Sequence, residues 1–232
     1  MIRESVFKSF DDKSALENQL AERIAQQLQA AIDARGKASL VVSGGSTPLA
    51  LFELLSHKAI EWQDVYITLA DERWVDTESD DSNENLVRQN LLQNRAASAK
   101  FRGLKNMFNT AEAGVDMTIE QLANFPKPFD VVVLGMGNDG HTCSWFPCSA
   151  EIEQALTTDA LCLACNPTTA PHGRMTISKK GILASRQIYL HIVGEQKHSV
   201  YRQALENDDA KTMPIRAVLG QSHTPVDVYW SA

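Results

Sequence analysis

Six short segments of this 232-residue chain are apolar at nearly every position, a pattern that suits strands covered on both faces. They are "ASLVVS" (38–43), "VYITLA" (65–70), "FDVVVLG" (129–135), "ALCLAC" (160–165), "QIYLHIV" (187–193) and "VDVYWS" (226–231). Helical stretches at 47–56, 82–93, 111–124, 195–206 and roughly 212–219 lie between most of them. Ahead of them all, residues 14–35 set Leu16, Leu20, Ile24, Leu28 and Ile32 on one face of a long helix, with Gly36 in the stop position. The alternation predicts an α/β fold, a mostly parallel sheet flanked by helices. No repeat, low-complexity tract or Pro/Gly linker divides the chain, so residues 1–232 read as one domain.

With 44% hydrophobic residues, a chain of this length can bury roughly 70–75% of its unfolded surface, enough for a full core. The net charge of −7 argues against nucleic acid or an acidic membrane as partner, so an anionic ligand must be held by a local cluster. No apolar stretch approaches the ~18 residues that span a bilayer, and "MIRESVFKSFDDK" has no secretory apolar core. A soluble, cytoplasmic protein is expected, as a monomer or a homodimer.

In parallel sheets of this kind ligands lie beyond the carboxyl ends of the strands, which directs attention to the segments that follow them. After the first strand, Gly44 and Gly45 allow a tight turn, Ser46 or Thr47 can cap a helix, and Pro48 suits its first position. Free N–H groups at such a start attract anions, although an ordinary turn has the same composition. After the second strand come Asp71, Glu72 and Arg73, charges that must be exposed or paired. The acidic run from Asp76 to Asp81 reads as a solvated loop rather than a metal site, with Ser82 as an N-cap and Asn83 at the mouth of the next helix.

After the third strand, "GMGNDG" matches G-x-G-x-x-G through Gly135, Gly137 and Gly140. A dinucleotide fingerprint should open an uninterrupted helix, whereas Phe146-Pro147 breaks the chain here, and Asp159 precedes a strand instead of following one. A different chemistry fits better. Asp139 and His141 present a carboxylate and an imidazole at a glycine turn, where His141 can take a proton from water while Asp139 fixes its tautomer or faces the substrate. Farther on, Arg174 and Lys197 each follow a strand and together can neutralise a phosphate dianion.

Cys162 and Cys165 form C-x-x-C close after Cys143 and Cys148, but no second pair stands at zinc-finger spacing, so all four read as reduced, buried thiols. His57, His191, His198 and His223 read as structural or surface residues, and His172 stays open because Arg174 is near.

Together "VVSGGSTP", "LADERWV" with "SDDSNENL", "LGMGNDGHTCSWFP", "GRMTIS" and "IVGEQK" resemble the 6-phosphogluconolactonases in order and spacing over essentially the whole chain. The resemblance implies a Rossmann-like fold shared with glucosamine-6-phosphate deaminases. It also implies hydrolysis of 6-phospho-D-glucono-1,5-lactone in the oxidative pentose phosphate pathway, with a sugar-phosphate lactone as partner and neither cofactor nor metal. It assigns phosphate binding to Gly45, Ser46, Thr47, Arg174 and Lys197, with Gly44 in the same turn. His141 resembles the general base, Arg73 the residue that steadies the oxyanion, and Asp139 the group that orients the imidazole or a sugar hydroxyl. Asp71 and Asn83 stand as further substrate contacts. Deaminases carry a glutamate before the proline where this chain has Phe146, and an apolar ring cannot move protons. A non-catalytic sugar-phosphate sensor would need the phosphate cluster but neither His141 nor Arg73.

Overall fold

The computed structural model describes residues 6–232. The N-terminal half runs β1 (Val6–Phe10), α1 (Lys13–Arg35), β2 (Ala38–Val42), α2 (Leu49–Ser56), β3 (Val65–Leu69), β4 (Asp71–Arg73), α3 (Asn83–Asn90), β5 (Lys100–Arg102) and α4 (Ala111–Gln121). Next come β6 (Val131–Leu134), α5 (Ile152–Thr157), β7 (Cys162–Cys165), β8 (Arg174–Ile177) and α6 (Lys179–Leu183). The chain finishes with β9 (Ile188–Val193), α7 (Glu195–Ala204), α8 (Arg216–Leu219) and β10 (Val226–Ser231).

Seven strands form one sheet in the order β1-β10-β9-β6-β2-β3-β5, and every neighbouring pair is parallel. The expected α/β architecture is therefore present. Strands β2, β6 and most of β9 are buried at each position, as their unbroken apolar sequences require. Helix α1 starts at Asp12, whose carboxylate accepts from Ala15 N, and stops at Gly36 in the left-handed region at φ 71°. Leu16, Leu20, Ile24 and Leu28 are all fully buried on its inner face. Each such leucine or isoleucine contributes about 1.5–3 kcal/mol by leaving water.

Several elements differ from expectation. β1 was outside the six apolar segments because it alternates, with "VFKSF" half-buried at the sheet edge. β7 does not join the parallel sheet; it pairs antiparallel with β8, which pairs antiparallel with β4. Burial on both faces makes a segment apolar but does not set the direction of its neighbour. Helices α5 and α6 come from segments not read as helical, and α8 covers only the end of 212–219.

Chain direction also sets where a ligand can enter. From β2 the chain moves outward through β3 to β5, whereas from β6 it moves the opposite way through β9 to β10. The carboxyl ends of β2 and β6 thus flank a topological switch point, where neighbouring loops diverge and leave a crevice. Ser43–Gly45 and Gly135–Gly137 are the segments that open there.

Candidate active site

A cavity of about 340 Å³ lies at this switch point. Its lining contains Gly44, Gly45, Ser46, Thr47, Asp71, Arg73, Asn83, His141, Arg174 and Lys197, ten of the residues expected from sequence. Asp139 stands behind His141 rather than on the wall.

His141 is oriented from two sides. Its Nδ1 lies 2.5 Å from Asp139 Oδ1, and its backbone N–H donates to the same oxygen at 3.2 Å. A carboxylate only accepts, so Nδ1 carries the proton and the lone pair is left on Nε2. The Phe146 ring stacks on the imidazole with centroids 4.1 Å apart and planes at 28°, which fixes the ring's tilt. The turn is compact because Gly137 has no side chain: a Cβ there would lie 2.1 Å from His141 Nδ1. Gly140 takes the left-handed conformation the turn needs, at φ 76°. Burial pushes the Asp139 carboxyl up, but hydrogen bonding and charge from His141 outweigh it and hold the group below its ordinary value. No helix opens after the three glycines, and α5 begins only at Ile152, so the dinucleotide fingerprint lacks its structural context.

The cations arrive from three other elements, β4, β8 and α7. Arg73 and Arg174 are register partners across the antiparallel β4–β8 pair, so both guanidinium groups leave the same face. Arg73 Nη1 donates to Asp81 O at 2.6 Å and Arg174 Nη2 to Pro171 O at 3.1 Å, while Nε of each is buried without a hydrogen-bond partner among the described residues. Burial pulls the Arg174 pKa down, and Asp71 opposes that shift. Lys197 sits in the first turn of α7, after Gly194 at φ 91°. Burial lowers its pKa too, with Asp139 acting in the opposite direction.

The Gly44–Pro48 turn differs in detail from expectation. Helix α2 begins at Leu49, Pro48 occupies its cap position, and neither Ser46 nor Thr47 makes a side-chain cap. The first-turn N–H groups therefore have no capping side chain, and Gly45 adopts φ 92°.

Asp71, Glu72 and Asn83 bind the turn, β4 and α3 into one unit. Asp71 Oδ2 accepts from Ser144 Oγ at 2.5 Å, tying β4 to the loop that carries His141. Asn83 Nδ2 donates to Asp71 O at 2.9 Å, and Asn83 Oδ1 is buried without a hydrogen-bond partner among the described residues. Glu72 is fully buried and accepts from the backbone N–H groups of Arg73, Asn83 and Glu84, each at 2.7 Å, and from Ser82 Oγ at 3.1 Å. Burial raises its pKa while these four donors pull it down. Ser82 caps α3 as expected, accepting from Asn85 N.

Other expectations resolve outside the cavity. His172 bonds Asp81 at 3.1 Å and is not part of the lining. No cluster of three or more metal-ligating side chains occurs among the described residues. The four thiols are free; Cys143, Cys162 and Cys165 are buried, whereas Cys148 is partly exposed. Burial pushes Cys162 and Cys165 up to about 12, which keeps both protonated. Sequence reasoning missed Ser43, Thr142 and His191 as lining residues and the stacking role of Phe146. His191 alone left a signal, as an imidazole within an otherwise apolar strand.

Comparison with known proteins places the chain among sugar-phosphate enzymes of one family. The 6-phosphogluconolactonase of Rhizobium meliloti (strain 1021) is 43% identical over 224 residues, which cover 96% of this chain and 97% of that protein. A crystal structure of a 6-phosphogluconolactonase from Shewanella baltica OS155 is 77% identical and superposes with a TM-score of 0.98, each chain covering 100% of the other. A monomeric glucosamine-6-phosphate deaminase of the NagB superfamily, 17% identical over 97% of each chain, has the same fold at a TM-score of 0.81. No helix among the described residues is long and apolar enough to cross a membrane. The family model for glucosamine-6-phosphate isomerases/6-phosphogluconolactonase matches residues 11–230, and the chain belongs to that family.

Proposed function

We propose that this chain opens 6-phospho-D-glucono-1,5-lactone to 6-phospho-D-gluconate, a step of the oxidative pentose phosphate pathway, with His141 as general base. It is a lactone hydrolase, as its full-length relatives are by name. The observation that carries the mechanism is the Asp139–His141 pair, whose imidazole borders the same cavity as Arg73, Arg174 and Lys197.

The phosphate is held by Arg174, Lys197 and the N–H groups of the Gly44–Thr47 turn, which oppose a dianion with two full charges and a helix start. Anchoring that end orients the lactone carbonyl toward His141. Nε2 removes a proton from water as the water oxygen bonds to C1, and Asp139 stabilises the imidazolium through Nδ1–H. Negative charge moves to the carbonyl oxygen, where Arg73 stabilises it. Collapse breaks the bond from C1 to the ring oxygen, which takes the proton from Nε2 and becomes the C5 hydroxyl. The new carboxylic acid then ionises. Phe146 contributes a flat apolar wall and moves no proton.

A rate assay with 6-phosphogluconolactone, corrected for unaided hydrolysis, tests the reading. Acceleration well above that background is expected. Equal rates with and without the protein overturn the proposal.

A further inference from the structure

His191 lines this cavity, and the mechanism above gives its imidazole no role. It stands near the end of β9 and is 2% exposed. Its register partner on β10 is Tyr229. On the other side Leu190 pairs with Leu134, so one step further Gly135 lies beside His191. Gly135 has nothing within 4 Å of where its Cβ would be, and both Gly135 and His191 line the cavity.

Nδ1 and Nε2 of His191 are both buried and both lack a hydrogen-bond partner among the described residues. Such a group is costly to bury, and most are satisfied by protein or a bound molecule. Burial, reinforced by nearby Lys13, holds the pKa down at about 4, so the ring is neutral and offers one donor and one acceptor. The same register that sets Gly135 beside His191 places Gly44 next in the row, since Val42 pairs with Val133. His191 therefore lies on the row that leads to the Gly44–Thr47 turn, and its own strand leads directly to Lys197.

We infer that His191 is a substrate-binding residue at the phosphate end of the site, where the neutral imidazole donates its N–H to a phosphoryl oxygen of the sugar phosphate. The inference rests on the functional reading above for the identity of the ligand. A neutral donor adds specificity for a phosphoryl group at a point where a further cation would have to be desolvated.

The test compares wild type, His191→Leu and His191→Asn by melting temperature, by kcat and KM for the phosphorylated lactone, and by calorimetric binding of 6-phosphogluconate. Because both nitrogens are buried without a hydrogen-bond partner among the described residues, His191→Leu should melt at or above the wild-type temperature. It should still raise KM and the product Kd about 10-fold or more, with kcat within about twofold. His191→Asn, which keeps a donor, should recover part of that loss. Unchanged KM and Kd in a folded His191→Leu overturn the inference, as does a lower melting temperature with unchanged binding, which marks a packing role only. An Asn variant as weak as Leu also overturns it. These outcomes are separable from failure of the functional reading, since that failure is read from wild-type hydrolysis and the His191 result from product binding.

Discussion

Asn83 Oδ1 occupies the space that any side chain at Gly44 would need: a Cβ built on Gly44 would lie 1.9 Å from it. One side of the cavity is therefore a contact between the β2–α2 turn and the start of α3. Gly44→Ala should push Asn83 out of place and break its bond to Asp71 O, at a cost of about 1–3 kcal/mol. Gly45→Ala should do comparable harm for another reason, since the space beside Gly45 is empty but its φ of 92° strains any L-residue. Thermal melts and KM for the lactone check both; wild-type values in Gly44→Ala would show that Asn83 can move freely.

Removal of the base separates catalysis from binding. His141→Ala should lower kcat by about 10²–10⁴ while the folded protein still binds 6-phosphogluconate. Asp139→Asn should also lower kcat with a smaller change in KM, because the amide no longer selects the Nδ1–H tautomer. Background-corrected initial rates decide the matter, and full activity in His141→Ala contradicts the mechanism.

Lys197→Ala should weaken binding by a factor of about 10–150, the loss of one hydrogen bond to a charged group. The effect should fall on phosphorylated lactone and spare an unphosphorylated one, so the ratio of their kcat/KM values is the informative quantity. An unchanged ratio rejects the phosphate role.

The same lysine gives the site a pH dependence. Burial lowers its pKa from 10.5, so in the free protein the cation is lost earlier, as pH rises, than it would be from an exposed lysine. The proton-bound form is the one that binds a phosphate dianion. Affinity for 6-phosphogluconate should therefore hold at neutral pH and fall as pH rises through that lowered value. In Lys197→Arg the alkaline loss should move to higher pH, because a guanidinium stays charged. Calorimetric titrations across the alkaline range measure the difference, and superimposable profiles argue against the assignment.

Glu72→Gln tests the buried carboxylate that orders β4 and α3. One of its two oxygens becomes an NH₂ group facing donors, so backbone N–H groups of Arg73 and Asn83, or that of Glu84 together with Ser82 Oγ, are left unsatisfied. A loss of about 1–3 kcal/mol per stranded donor is expected in urea unfolding. Wild-type stability in this variant would mean that the network rearranges without penalty.

The local sequence by itself determined the parts that depend on solvent exposure and short-range geometry. Unbroken apolar runs such as "VVVL" specify strands covered on both sides, and the Leu16-to-Ile32 stripe closed by Gly36 specifies α1. The Asp139-Gly140-His141 turn was legible too, because residues two apart can meet without help from the rest of the chain. Tertiary structure alone decided which strands became neighbours. β7 pairs antiparallel with β8 although it is as apolar as the parallel strands, and β8 pairs in turn with β4, which sets Arg73 beside Arg174. The packing of Phe146 on His141, of Asn83 into the space over Gly44, and the placing of Gly135 and His191 on one cavity wall have the same origin. Apolar periodicity records that a side chain is buried; what it is buried against depends on contacts between distant segments, which form only when the sheet assembles.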